Sequence, residues 1–263
     1  MKSMIRSIVD AIKRHPLLVA LCALADLAFF FAFSLLLTEM VLSVKDHVEG
    51  VYRIMATDLG KELTKEAMQL LVSQQDVLMA HYYQILAAVG WFMLGVMISW
   101  LILQGLSWFV AHHLAGSTTS PKLFAKNFTL ISLCGFILVI GVFLLSVRLA
   151  LLRTQMVLPL YSDQAINVLV SILFALVAYL VMVALGMLQK KGWYKHYLQT
   201  AFLHPLRTAL PFVLIVAMII ALNWLMMRSL AVHWLLFGTL ALLVVLPSYT
   251  VGRMVWISIL RAD

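Results

Sequence analysis

Of 263 residues, 64% are hydrophobic and 11% charged, and 19 Lys and Arg against 11 Asp and Glu leave a formal net charge of +8. Soluble domains carry about 45–50% apolar and about 25% charged residues, so composition excludes an ordinary water-soluble globule. The positive balance therefore reads as attraction to anionic lipid headgroups and not to nucleic acid.

The chain opens on Ile5, Ile8, Val9 and Ile12 at helical spacing, with Lys2, Arg6, Lys13 and Arg14 mostly off that stripe. This pattern predicts an interfacial helix over 1–15, closed by His15-Pro16. The first apolar run follows at 17–42; it is too long for the core of a signal peptide and has no small-residue cleavage site after it, so it is expected to stay in the mature protein. Segment 43–82 is the only sizeable polar excursion. Val44, Val48, Val51 and Met55 keep a helical stripe, Asp58-Leu59-Gly60 offers a break, and Leu63, Ala67, Leu70 and Leu71 resume it. Two amphipathic helices on the outer face fit this pattern, as do two spans that continue past the lipid.

Further apolar runs occupy 83–110, 128–152, 165–188, 208–228 and 233–251. All six are close to or beyond the ~20 residues with which a helix crosses a ~30 Å hydrocarbon core. Ser120-Pro121 before the third run is a helix start, with Ser as N-cap and Pro in the first turn. Tyr194, Tyr197, Leu198, Ala201 and Phe202 before the fifth repeat the stripe of the N-terminal segment and end at His204-Pro205. The expected fold is thus an all-α, polytopic bundle forming one membrane domain over 1–263, with six transmembrane helices, interfacial helices and a threefold repeat of interfacial helix plus hairpin.

Charge gives this layout a sidedness. The termini and the connections 111–127 and 189–207 hold Lys2, Arg6, Lys13, Arg14, Lys122, Lys126, Lys190, Lys191, Lys195, Arg207, Arg253 and Arg261, opposed only by Asp10 and Asp263. In 43–82 the acids Asp46, Glu49, Asp58, Glu62, Glu66 and Asp76 outnumber the bases. The positive-inside rule then puts both termini in the cytoplasm and the chain in the cell membrane. Trp108, Trp193, Tyr194 and Trp256 are expected at the inner interface and Tyr161, Trp224 and Trp234 at the outer one, whereas Trp91 and Trp100 are expected to pack between helices.

Asp26 is the leading candidate for chemistry. It follows Pro16 by ten residues, hence lies ~15 Å along a helix and near the midplane. A carboxyl there costs a few kcal/mol on insertion scales and must be paired or protonated. Counted from the same side, Gln104, Tyr179, Ser248 and Tyr249 share its depth, and Pro247 loosens the sixth run. Together these residues form a candidate intramembrane polar site, either proton- or cation-responsive or structural. Toward the outer face, Glu39, Arg148 and Arg228 reach similar depth, which suggests an ion pair of Glu39 with one arginine.

Cys22 and Cys134 are expected as buried thiols, and no CxxC or Cys/His spacing predicts a metal. The adjacent His112 and His113 point to different helix faces, and the 15 methionines lack a copper-type cluster. GxSxG, HExxH and Walker-type signatures are absent, so neither enzyme activity nor a cofactor is expected.

The stretches IRSIVDAIKRHPLLVAL and YLQTAFLHPLRTALPFVLI resemble the layout of uncharacterised prokaryotic six-helix membrane proteins near the glycerophosphodiesterase membrane-domain group. That resemblance implies a helical membrane bundle and carries over no catalytic residues. The function expected from the sequence is a non-enzymatic scaffold, partner subunit or lipid-interacting module, with anionic lipids and a protein partner or a second copy of the chain as its associates. The alternative is a small transporter or channel whose path passes Asp26.

Overall fold

The computed structural model describes residues 2–59, 74–116, 120–155, 162–188, 194, 197, 199–203, 205–232 and 244–261. These are helical nearly throughout, and none is in a strand. The elements are α1 (Lys2–Arg14), α2 (Pro16–Leu59), α3 (Gln75–Ser99), a π-helical turn (Trp100–Gln104), α4 (Gly105–Leu114), α5 (Pro121–Gln155), α6 (Asp163–Met187), a second π-helical turn (Gln199–Leu203), α7 (Pro205–Val232) and α8 (Leu246–Arg261). Among the described residues four stretches are long and apolar enough to cross a membrane: Pro16–Ile54, Gln75–Leu114, Pro121–Arg153 and Asp163–Met187. Most of the sixth apolar run, together with Tyr161, Trp193, His204, Trp234 and the stripe from Leu63 to Leu71, lies outside the described residues.

The chain forms two compact units, one of residues 28–102 and one of residues 1–27 and 103–263. The smaller unit is an antiparallel hairpin of α2 and α3. Phe29 packs edge-on against Trp100 and Phe33 against Phe92, with ring centroids 5.7 and 5.8 Å apart. Farther out, His47 Nδ1 lies 3.2 Å from His81 Nδ1. A Cβ on Gly50 would come within 2.6 Å of the His81 ring, so the close approach requires glycine there. At 44 residues, α2 is about 66 Å long at ~1.5 Å per residue, over twice a ~30 Å core. The first part of 43–82 is therefore a continuation of α2, carrying exposed Lys45–Glu49 and Arg53–Glu49 pairs, and not a separate amphipathic helix. Trp91 is 72% exposed and does not pack between helices as expected.

In the larger unit α8 is the hub, in contact with α1, α4, α6 and α7. Met254, Trp256 and Ile257 on it are fully buried. Trp256 donates from Nε1 to Met182 O on α6 at 2.7 Å. Its indole reaches that carbonyl across Gly186, where a Cβ would lie 2.8 Å from the same nitrogen. Trp108 is buried as well, so neither tryptophan serves as the interfacial anchor that its sequence position suggested. α1 folds onto this unit by its apolar stripe: Ile8 joins Cys22, Val110, Leu114 and Met254 in one cluster, flanked by Ala11 and Ile12.

α5 and α6 pair as a hairpin whose connected end is tied by an Arg153–Asp163 ion pair and by the Ser162 side chain, which caps α6 at Ala165 N over 3.2 Å. Lys122 and Lys126 lie in the first two turns of α5, which is one continuous helix from Pro121. The middle interfacial segment is thus the start of a long helix and not a helix of its own.

Candidate functional site

Asp26 is completely buried. Its Oδ1 accepts from Gln104 Nε2 at 3.0 Å, from Ser107 Oγ at 3.0 Å and from Arg253 Nη2 at 2.8 Å, while Oδ2 accepts from Arg253 Nη1 at 2.8 Å. The fork-to-fork geometry is that of a bidentate, charge-assisted pair. Arg253 also donates to Gln104 Oε1 at 2.7 Å and to Ser107 Oγ, and its guanidinium sits 5.5 Å from the Trp108 ring centre. Cys22 completes the cluster, with Sγ 2.9 Å from Ser107 Oγ. The side chains of Asp26 and Arg253 expose 1% and 11% of their area, so the charges compensate each other almost out of reach of solvent.

Local structure explains how three helices meet here. α3 buries no residue, whereas the last residue of the first π turn, Gln104, is buried, as are Gly105, Ser107, Trp108 and Ala111 in the helix beyond it. A π turn inserts an extra residue into the helical repeat and so rotates the face that follows. Here that face carries Gln104 and Ser107 to Asp26 on α2. Arg253 arrives from α8, one helical turn before the Ile257 anchor.

Of the residues that the sequence placed at one depth, Gln104 lies against Asp26 and the others lie elsewhere. Tyr179 donates to Ala201 O at 2.8 Å and meets Thr208 Oγ1 at 2.5 Å, which ties α6 to the second π turn and α7. Nearby, Tyr197 donates to Leu180 O at 3.1 Å, and burial, reinforced by the Tyr179 phenol, raises its pKa above the usual tyrosine value. Ser248 turns back to Val244 O at 2.6 Å, satisfying its own helix, and Tyr249 is half-buried on the same helix. Glu39 and Arg148 are exposed on α2 and α5, and Arg228 lies 5.2 Å over Trp224.

Arg253, Ser107 and Cys22 are the partners that sequence reasoning did not assign to this site. Arg253 follows the sixth apolar run and counts by sequence as a cytoplasmic base. The usable signal was the spacing of Arg253, Trp256, Ile257 and Leu260, which sets the arginine on the same face as large apolar residues.

Among the described residues of the larger unit, a cavity of about 880 Å³ lies between α1 and the end of α4, and an apolar groove of about 370 Å³ lies between α7 and α8; Asp26 lines neither. Among the described residues no group of three or more His, Cys, Asp or Glu could hold a metal.

Comparison with protein-family models, with curated proteins and with solved structures finds no match.

Proposed function

We propose that this chain is a multi-pass protein of the cell membrane, with both termini cytoplasmic and six spans in three hairpin units, that acts as a non-enzymatic, lipid-interacting scaffold or partner subunit. Support for the membrane setting comes from the distribution of polarity. Asp26, Gln104, Ser107, His112 and Thr250 are buried, while Leu130, Ile137, Leu144 and Ile172 on the long helices are exposed. Such helices bury their polar groups against one another and turn apolar side chains to the surrounding lipid.

The observation that favours a scaffold over a transporter is the closure of Asp26: both carboxylate oxygens are engaged by the chain's own side chains. A carboxylate held this way is a fastener between α2, α4 and α8. To act as a carrier it would have to leave Arg253 at each turnover and forfeit a buried pair whose breakage costs about 3–5 kcal/mol. The test is flux in proteoliposomes loaded with a pH-sensitive dye or a cation reporter. The expected result is no more leakage than from protein-free vesicles, with Asp26→Asn behaving identically. Flux that requires Asp26 would overturn the scaffold reading in favour of transport.

A further inference from the structure

The 880 Å³ cavity between α1 and the end of α4 is lined by Arg6, Ser7, Asp10, Arg14, His15 and His113. Two independent features give it the character of an anion site. The first is placement. Ile8, Ala11 and Ile12 pin one face of α1 to the bundle, so Arg6, Asp10 and Arg14, spaced one helical turn apart on the adjoining face, are held along one wall of the cavity. The far wall is set by the reversal after α4, where Gly116 adopts φ 83° and its N–H closes on His113 O at 2.9 Å. A side chain with a Cβ would be strained at that φ, so glycine allows the turn that leaves His113 at the cavity.

The second feature is an uncompensated charge. Among the described residues Arg6 and Arg14 have no ion-pair partner, and Asp10 can balance only one of them. Two guanidinium forks, two imidazoles and the Ser7 hydroxyl face a space within the size range of small-ligand sites, about 300–1,000 Å³. Two forks presenting paired donors match a group with three terminal oxygens better than a single carboxylate or a bridging diester.

We propose that this cavity binds the terminal phosphate of a phosphate monoester. The proposal rests on the lipid-interacting reading only for the source of that phosphate, since a lipid headgroup and a soluble ester present the same chemistry. The test titrates the full chain in mild detergent, by native mass spectrometry, with dioctanoyl phosphatidic acid as the monoester and dioctanoyl phosphatidylglycerol as the diester. The expected result is binding of the monoester about tenfold or more tighter, lost by a similar factor in the Arg6→Ala, Arg14→Ala double variant. Lys122→Ala with Lys126→Ala, which removes two bases outside the cavity, leaves it unchanged. Arg6→Lys with Arg14→Lys keeps the charge without the fork and gives an intermediate loss, so the proposal can be judged even if the alanine variant fails to fold. Equal binding of the two lipids, an unaffected arginine double variant, or an equal loss in the lysine control overturns the site. Competition by glycerol 3-phosphate assigns the phosphate to a soluble ester, and its failure to compete assigns it to a lipid. Release of the chain from membranes by alkaline carbonate would defeat the membrane reading alone, because the titration of wild type and variants with the monoester and the diester still decides the cavity.

Discussion

Asp26 and Arg253 are each dependent on the other. Replacing one leaves an uncompensated charge or unsatisfied donors in a site whose two side chains expose 1% and 11% of their area, and losses of about 3–5 kcal/mol follow from breaking such a pair. Asp26→Asn and Arg253→Gln should each lower the thermal unfolding midpoint in detergent sharply. The apolar double variant Asp26→Leu, Arg253→Met should recover most of that loss, because well-packed hydrophobic residues often replace a buried pair at little cost. A double variant no better than the singles would mean that the pair does more than balance charge. Gly186 offers a steric counterpart. Alanine there gains up to ~1 kcal/mol in helix propensity but meets Trp256 Nε1 at 2.8 Å, and overpacking of this kind costs about 1–3 kcal/mol. Gly186→Ala is therefore expected to be net destabilising, and an unchanged or raised midpoint would show that α6 and α8 can separate freely. At this scale the sequence was half legible: counting residues from each helix entry brought Asp26 and Gln104 to one depth. The distribution of charge counted Arg253 among the bases that flank the spans, because an arginine after an apolar run reads as a flank.

Among the elements, α1 was legible because amphipathic periodicity is a local property of sequence and survives into the fold unchanged. Its apolar stripe docks by Ile8. Ile8→Glu places a carboxylate among Cys22, Val110, Leu114 and Met254 and should release α1, seen as faster proteolysis within residues 2–15 with α2 to α8 still protected. Protection equal to wild type would refute the docking. The π turn at Trp100–Gln104 was not legible, because the run 83–110 is apolar on every side and carries no periodic signal to mark an inserted residue. Yet that turn separates a helix with no buried residue from one that is largely buried. The length of α2 was also hidden: Val44, Val48 and Val51 read equally well as a new amphipathic helix or as the same helix prolonged.

For the whole molecule, hydropathy alone identified an all-helical chain with stretches long and apolar enough to cross a membrane, and among the described residues four of them are so in the structure. The sidedness assigned from the bases on the termini and on 111–127 and 189–207 is a separate claim with its own test. Reporter fusions at residue 1 and residue 263 should both report cytoplasm, and a reporter placed at residue 60 should report the opposite side. A cytoplasmic signal at residue 60 would invert the topology. Division into two units was not legible, since its boundaries, after Leu27 and after Ile102, fall inside continuous apolar runs.

The 227 residues that separate Asp26 from Arg253 also set an order of events during synthesis. At ~5–20 residues per second, the carboxylate leaves the ribosome about 10–45 s before its guanidinium partner. Throughout that interval α2 exists without the guanidinium that balances Asp26 in the folded chain. The nascent chain thus passes through a stage in which a helix is already made but its buried carboxylate has no final partner. Ribosome stalling anywhere between α4 and α8 should leave such chains exposed to membrane quality-control proteases, and the arrival of α8 is the step that ends their vulnerability.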